Sequence, residues 1–161
     1  MNGSEVTGLA LTEAVAEVLE AVWGCTRSAV PAHETLPHAS TLPVSLDGTP
    51  CELHLAAAPG AVEALLPRML GRTAAEDEVA SLAAELVAEL LNQVAGHWAG
   101  RLGARGVEVT LGTPVAATFS GRALVGAEGA TTAMPASVVL PMTCAGHPLA
   151  LSLSCPAGTT P

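Results

Sequence analysis

Apolar residues recur every three or four positions in three stretches of the chain, and this period predicts amphipathic helices over residues 11–23, 59–71 and 74–102. The third helix is the longest, and the sequence Thr73-Ala-Ala-Glu76 at its start predicts a capping box. Its apolar positions share one side of the helix and should face the core. This expected buried face consists of Val79, Leu82, Leu86, Val87, Leu90, Val94 and Trp98.

Alternating apolar and polar residues predict β-strands between and after these helices. Asp47-Gly48 and Ala145-Gly146 each separate two such segments, which predicts two β-hairpins, and further short strands are expected between residues 106 and 128. Helices and strands do not alternate regularly along the chain. The order therefore favours an α+β fold, in which a mainly antiparallel sheet packs against a long central helix and shorter helices.

The third predicted helix carries four polar or small residues on one face: Glu85, Glu89, Asn92 and Gly96. At 100° per residue these positions fall within about 60° of one another. Asn and Gly inside a helix together cost about 1.5 kcal/mol relative to alanine, and Glu85 and Glu89 form a repulsive i,i+4 pair. Exposure of this helix face to solvent would explain why these residues are polar, but it does not explain the unfavourable Asn and Gly or the repulsive glutamate pair. We refer to the four residues as the polar stripe and treat it as the candidate functional surface.

Charge narrows the range of partners. The 161 residues carry a net charge of −9, with six arginines and no lysine. Such a chain lacks the basic surface that nucleic acids and anionic membranes require. The N-terminus has no basic segment typical of a signal peptide, and no apolar run reaches membrane-spanning length. We therefore expect a cytoplasmic protein with a single domain over residues 1–161, a core over about 9–155, and flexible tails.

The four cysteines form no C-x-x-C pair: Cys25, Cys51, Cys144 and Cys155. In a reducing compartment we expect them to be small buried thiols. The five histidines are scattered, and His33 and His38 lie in a proline-rich loop without a carboxylate at ligand spacing, so we expect no metal site.

Glu89-Leu-Leu-Asn92 followed by Gly96 resembles the E-x-x-N helix of the CheC/CheX/FliY chemotaxis phosphatases. Residues 52–72 are similar to the strand and helix ending in M-L-G that precede this motif in the CheX branch, and the similarity covers most of residues 9–125. The single copy of the motif favours the CheX-like branch. The resemblance implies a CheC-like fold.

The resemblance also implies an activity, the dephosphorylation of the aspartyl phosphate of a CheY-type response regulator. By motif position Asn92 would orient the attacking water, and Glu89 would pair with a lysine of the regulator. Glu85 and Gly96 would contact the partner, although Glu85 stands where the family often has Asp or Ser. The regulator would supply Mg²⁺, so this chain would bind no cofactor. The resemblance further implies a homodimer formed by sheet extension.

Two other functions remain open from the residues alone. The domain could bind a signalling partner or dimerise without catalysis, with Glu85 and Glu89 as an acidic docking patch. It could also bind a small molecule, which would require a concave apolar pocket with converging polar groups.

Overall fold

The computed structural model describes residues 3–28, 36–120, 123–126 and 136–156. Of the two predicted tails, the C-terminal one lies outside these ranges except for Pro156, whereas residues 3–8 of the N-terminal one belong to a helix. The described helices are α1 (Gly3–Val15), which a π-helical turn (Ala16–Glu20) extends, α2 (Pro59–Leu70) and α3 (Glu76–Gly103). The described strands are β1 (Thr26–Arg27), β2 (His38–Leu46), β3 (Thr49–Ala57), β4 (Val109–Leu111), β5 (Val115–Ser120), β6 (Ala123–Gly126), β7 (Ala136–Cys144) and β8 (His147–Ser154).

The strands form one sheet in the order β1-β7-β8-β3-β2-β5-β6, with β4 also paired to β2. Neighbouring strands run antiparallel. Both predicted hairpins are confirmed. Asp47-Gly48 joins β2 to β3 and Ala145-Gly146 joins β7 to β8, and all four residues have the positive φ that tight two-residue hairpin turns require. The α+β prediction is therefore confirmed.

The core lies between one face of the sheet and the helices. Helix α3 packs on β2 and β3 and also contacts α1 and α2. Five members of its expected buried face are buried, whereas Val79 and Leu82 lie partly exposed at the edge of the core. The indole Nε1 of Trp98 donates to the carbonyl oxygen of Thr7 at 3.2 Å, which ties α3 to α1.

By length and composition alone, α3 could also cross a membrane. In this fold its large apolar side chains, among them Leu86, Leu90 and Trp98, lie in the core instead. The apolar composition of the helix is thus accounted for by packing within the protein.

The first helix is longer than the sequence pattern indicates. It begins at Gly3 rather than at Leu11, because Val6 and Ala10 extend its apolar face and pack on the core. The helix widens into the π-helical turn near its end, and Gly24 terminates the segment with a φ of 70°. This terminus places Trp23 against the core, with only 7% of its surface exposed.

The predicted capping box of α3 is wrong in its register. The residue before the helix is Ala75 rather than Thr73, and alanine has no side-chain oxygen to cap the first turn. Glu78 supplies half of the arrangement, because its Oε2 accepts a hydrogen bond from the Ala75 backbone N–H at 2.9 Å. Arg72 also pairs with Glu78, and these hydrogen bonds lower the pKa of the Glu78 carboxyl to about 2.

The expectation of four thiols is wrong for two of the cysteines. Cys51 and Cys155 form a disulfide, because the antiparallel register of β3 and β8 places them directly opposite each other with their Cα atoms 4.4 Å apart. Cys25 and Cys144 are buried free thiols. Thr26 of β1 pairs with Thr143 of β7, so the same antiparallel register places Cys25 opposite Cys144. Burial raises the pKa of the Cys25 thiol to about 12.

We expect the Cys51–Cys155 disulfide to stabilise the fold, because it joins residues separated by 104 positions in the sequence. Such a cross-link restricts the unfolded chain and typically contributes about 2–4 kcal/mol to the free energy of unfolding. Denaturant titration with and without dithiothreitol should show this loss in the wild type. The C51A/C155A variant should not respond to dithiothreitol, and equal wild-type stability in the two conditions would contradict the expectation.

Candidate functional site

Helix α3 presents the polar stripe at the surface of the protein. Glu85, Glu89, Asn92 and Gly96 are all exposed, while the opposite face of the same helix is buried against the sheet. Because a helix turns 100° per residue, burial of the apolar face directs the stripe outward. The structure therefore brings the four candidate residues together on one accessible surface.

Glu89 has a defined hydrogen-bond partner within the protein. The Nε2 atom of Gln93, one helical turn away, donates to Glu89 Oε1 at 2.7 Å. Trp23 Nε1 in turn donates to Gln93 Oε1 at 2.8 Å. The carboxylate of the stripe is thus connected to a buried indole at the end of the first helical segment.

Sequence alone did not single out Gln93 or Trp23. A signal for the glutamine existed, since it is the only one in the chain and lies at i+4 from Glu89. No such signal existed for the tryptophan, which is 70 residues from its partner.

The other stripe residues are open to a partner. No residue that the structure describes makes a hydrogen bond to the side chain of Asn92 or Glu85, and both are exposed. A Cβ atom added to Gly96 would meet no heavy atom within 4 Å among the described residues. Packing within the described part of the chain therefore does not require a glycine there, and the missing side chain leaves the helix backbone accessible at this position.

The charge of the stripe is not balanced within the described part of the chain. Each described arginine contacts a carboxylate or a carbonyl oxygen elsewhere: Arg27 contacts Glu20, Arg68 the Val22 carbonyl, Arg72 Glu78, Arg101 both Glu13 and Glu17, and Arg105 Glu13. None of these ion pairs involves Glu85 or Glu89. The stripe therefore presents negative charge that a basic group of a partner could neutralise.

An ion-pair network beside the stripe fixes α1 on α3. Arg101 on α3 contacts Glu13 at 2.8 Å and also pairs with Glu17, which His97 contacts as well. Hydrogen bonds from Arg101 and His97 lower the pKa of the Glu17 carboxyl. The network joins the end of the first helical segment, which carries Trp23, to the helix that carries the stripe.

The chemistry available to the stripe is that of a carboxylate and a free amide one turn apart. An amide both donates and accepts hydrogen bonds without changing its protonation state, so Asn92 can hold a water molecule in a set orientation. Glu89 can pair with a cation. Within the described residues no cluster of three His, Cys, Asp or Glu side chains could hold a metal ion.

Several crystal structures share the architecture of this chain. The CheX chemotaxis protein from Desulfovibrio desulfuricans aligns with a TM-score of 0.70 at 13% identity, over 92% of this chain and 98% of that one. A chemotactic CheC-like protein from Shewanella oneidensis MR-1 gives 0.64 at 19% identity, over 93% and 98%. A chain of the CheX–CheY–BeF3–Mg²⁺ complex from Borrelia burgdorferi gives 0.60 at 13% identity, over 94% and 96%.

No protein-family model and no curated protein matches the sequence. The structural similarities extend over nearly the whole chain at identities between 13% and 19%. At such identities they establish the architecture, and the activity has to be argued from the site. The resemblance found in the motif and its flanks is thus confirmed for the architecture: this chain has the fold of the CheX and CheC-like chemotaxis proteins.

Proposed function

We propose that this protein is a cytoplasmic, CheX-like member of the CheC/CheX/FliY family that removes the aspartyl phosphate from a CheY-type response regulator. The observation that carries the proposal is the joint exposure of Glu89 and Asn92, one turn apart, on the long helix of a CheX-like fold. The structure of CheX in complex with CheY, BeF3 and Mg²⁺ supports the partner class, because one of its chains shares this fold.

In the proposed reaction Asn92 places a water molecule in line with the phosphoryl group of the regulator. The water oxygen bonds to phosphorus while the bond to the aspartyl oxygen breaks, and the products are inorganic phosphate and the free aspartate carboxylate. Positioning supplies most of the acceleration in such transfers, and the metal bound by the regulator stabilises the charge. The free amide of Asn92 suits this role, since no described residue occupies its hydrogen-bonding groups.

Docking would depend on charge and on close approach. Glu89 would pair with a lysine of the regulator, and Glu85 would add to the attraction one turn further along the helix. These carboxylates have no cationic partner among the described residues, so they meet the partner unneutralised. Gly96 would let the backbone of the partner approach the helix.

We propose that the chain is a single domain and that it forms a homodimer by extending its sheet. The described edges of the sheet are β1 and β6, and β6 is the longer of the two. An unpaired strand edge offers backbone groups to a second copy.

Light scattering should give twice the chain mass, and a monomer mass at micromolar concentration would contradict the dimer.

Replacing Asn92 with alanine should abolish the acceleration of phosphate loss. We expect a decrease of about 100-fold or more, because the water loses the group that orients it. The measurement is the rate of phosphate release from acetyl-phosphate-treated receiver domains encoded in the same genome. The variant should remain folded and slightly more stable, since alanine is the better helix former.

The control is Ser81→Ala, which removes an exposed polar side chain from the same face of α3, one turn before Glu85 and about 16 Å from Asn92 along the helix. It should retain the wild-type rate. A wild-type rate in the Asn92→Ala variant would contradict the assignment of the water-orienting role.

Replacing Glu89 with glutamine should weaken docking rather than chemistry. The substitution removes the charge but keeps an oxygen that can accept the hydrogen bond from Gln93. We expect KM for the phosphorylated receiver to rise about tenfold and its dependence on salt concentration to decrease, because a charge pair is lost. The matched control is Glu63→Gln, an exposed glutamate on α2. Equal KM values and salt dependence in both variants would contradict the docking role of Glu89.

A second candidate function is a non-catalytic module that binds the regulator through the same surface. The presence of Glu85, where the family often has a smaller polar residue, favours this alternative, because it increases the acidity of the stripe. Tight binding of a beryllofluoride-loaded receiver without faster dephosphorylation of the phosphorylated form would establish it over the phosphatase.

A further inference from the structure

We propose that Trp23 and Gln93 form a hydrogen-bonded relay that holds Glu89 in the conformation used for docking. Gln93 is then a positioning residue for recognition of the regulator, and Trp23 anchors it. This inference rests on the proposed function and adds to it a determinant of affinity outside the polar stripe.

The chemistry of the two side chains fixes the direction of the relay. An indole N–H can only donate a hydrogen bond, so Trp23 Nε1 must face the oxygen of the Gln93 amide, at 2.8 Å. The nitrogen of that amide then faces Glu89, to which it donates at 2.7 Å. The carboxylate can only accept, so it requires the same orientation of the amide. The indole and the carboxylate therefore select one rotamer of Gln93, and the indole anchors the oxygen of its amide.

The relay runs from the core to the surface. Trp23 is 7% exposed, Gln93 is half-buried and Glu89 is exposed. The backbone N–H of Trp23 donates to the Val18 carbonyl at 3.1 Å, and that of Cys25 donates to Leu19 at 2.8 Å. These bonds hold the backbone that carries the indole at the packed end of the first helical segment. The surface carboxylate of Glu89 is thereby connected to the core.

The relay leaves part of the carboxylate available to a partner. Gln93 contacts Oε1 of Glu89, and no described residue makes a hydrogen bond to Oε2. An exposed glutamate without such a contact samples many rotamers and loses that freedom when it binds. Glu89 is already ordered before docking, so the relay should act on affinity. Asn92 lies outside the relay, and the chemical step should therefore change little.

The test uses three single variants and one double variant. Trp23→Phe removes the indole N–H and keeps an aromatic ring, and Gln93→Met removes the amide at similar length. Each should raise KM for the phosphorylated receiver, and Kd for the beryllofluoride-loaded receiver, by about threefold to tenfold, with kcat within about twofold of wild type. The double variant should bind the receiver no more weakly than the weaker-binding single variant, because either change alone already breaks the relay.

Gln93→Glu is the most demanding variant, because it keeps the acceptor for Trp23 but places a second carboxylate beside Glu89. It should raise KM and Kd more than Gln93→Met does, and high salt should reduce the difference between them. Equal affinities of these two variants for the receiver would contradict the donor role of the amide.

An NMR measurement tests the relay without activity. The chain has two tryptophans, so two indole N–H signals are expected, and Trp23→Phe identifies which belongs to Trp23. Gln93→Met should shift the Trp23 signal and leave that of Trp98, which donates to the Thr7 carbonyl, unchanged. An unmoved Trp23 signal overturns the relay, and so do wild-type affinities in both single variants.

The two proposals fail in different ways. If the wild type neither binds nor dephosphorylates any receiver, the proposed function fails and the docking role of the relay fails with it. If the wild type is active while Trp23→Phe and Gln93→Met match it in KM and Kd, only the relay fails.

Discussion

The packing of one apolar face of α3 on strands β2 and β3 is the contact on which the rest of the structure depends. Leu86, Leu90, Val94 and Trp98 are buried there, and a helix with one face fixed cannot rotate. The opposite face must therefore point to solvent, and with it the polar stripe. Groups held on a packed helix keep their spacing better than groups on a loop. The spacing of the Glu89 carboxylate and the free Asn92 amide is thus fixed by the packing of the core.

The neighbouring segments serve this helix in two ways. The ion pairs of Arg101 with Glu13 and Glu17 hold α1 beside α3 and leave the stripe acidic, because the described arginines are engaged elsewhere. The same arrangement brings Trp23 next to Gln93. In the proposed account, stability and recognition would depend on the same interface, because the segment held beside α3 also supplies the indole that contacts Gln93, the partner of Glu89.

Much of the architecture could be predicted because its determinants are local. Helical and strand periods, together with the two hairpin turns, gave the element order, and angular spacing on one helix placed Glu89 and Asn92 on a common face. What the sequence did not reveal depends on distant partners. The Cys51–Cys155 disulfide joins strands 104 positions apart, and the contact of Trp23 with Gln93 spans 70. No pattern within a single element specifies such pairs, since the sheet register and the packing of helices create them.

A shared fold does not establish an activity, so the proposed function depends on whether the polar stripe binds a response regulator. The most direct measurement is an NMR titration of the ¹⁵N-labelled protein with a beryllofluoride-loaded receiver domain. Backbone signals of the exposed face of α3 around residues 85–96, and the side-chain amide signals of Asn92 and Gln93, should change most. Binding that leaves these signals unmoved while it shifts those of another surface would contradict the proposed function.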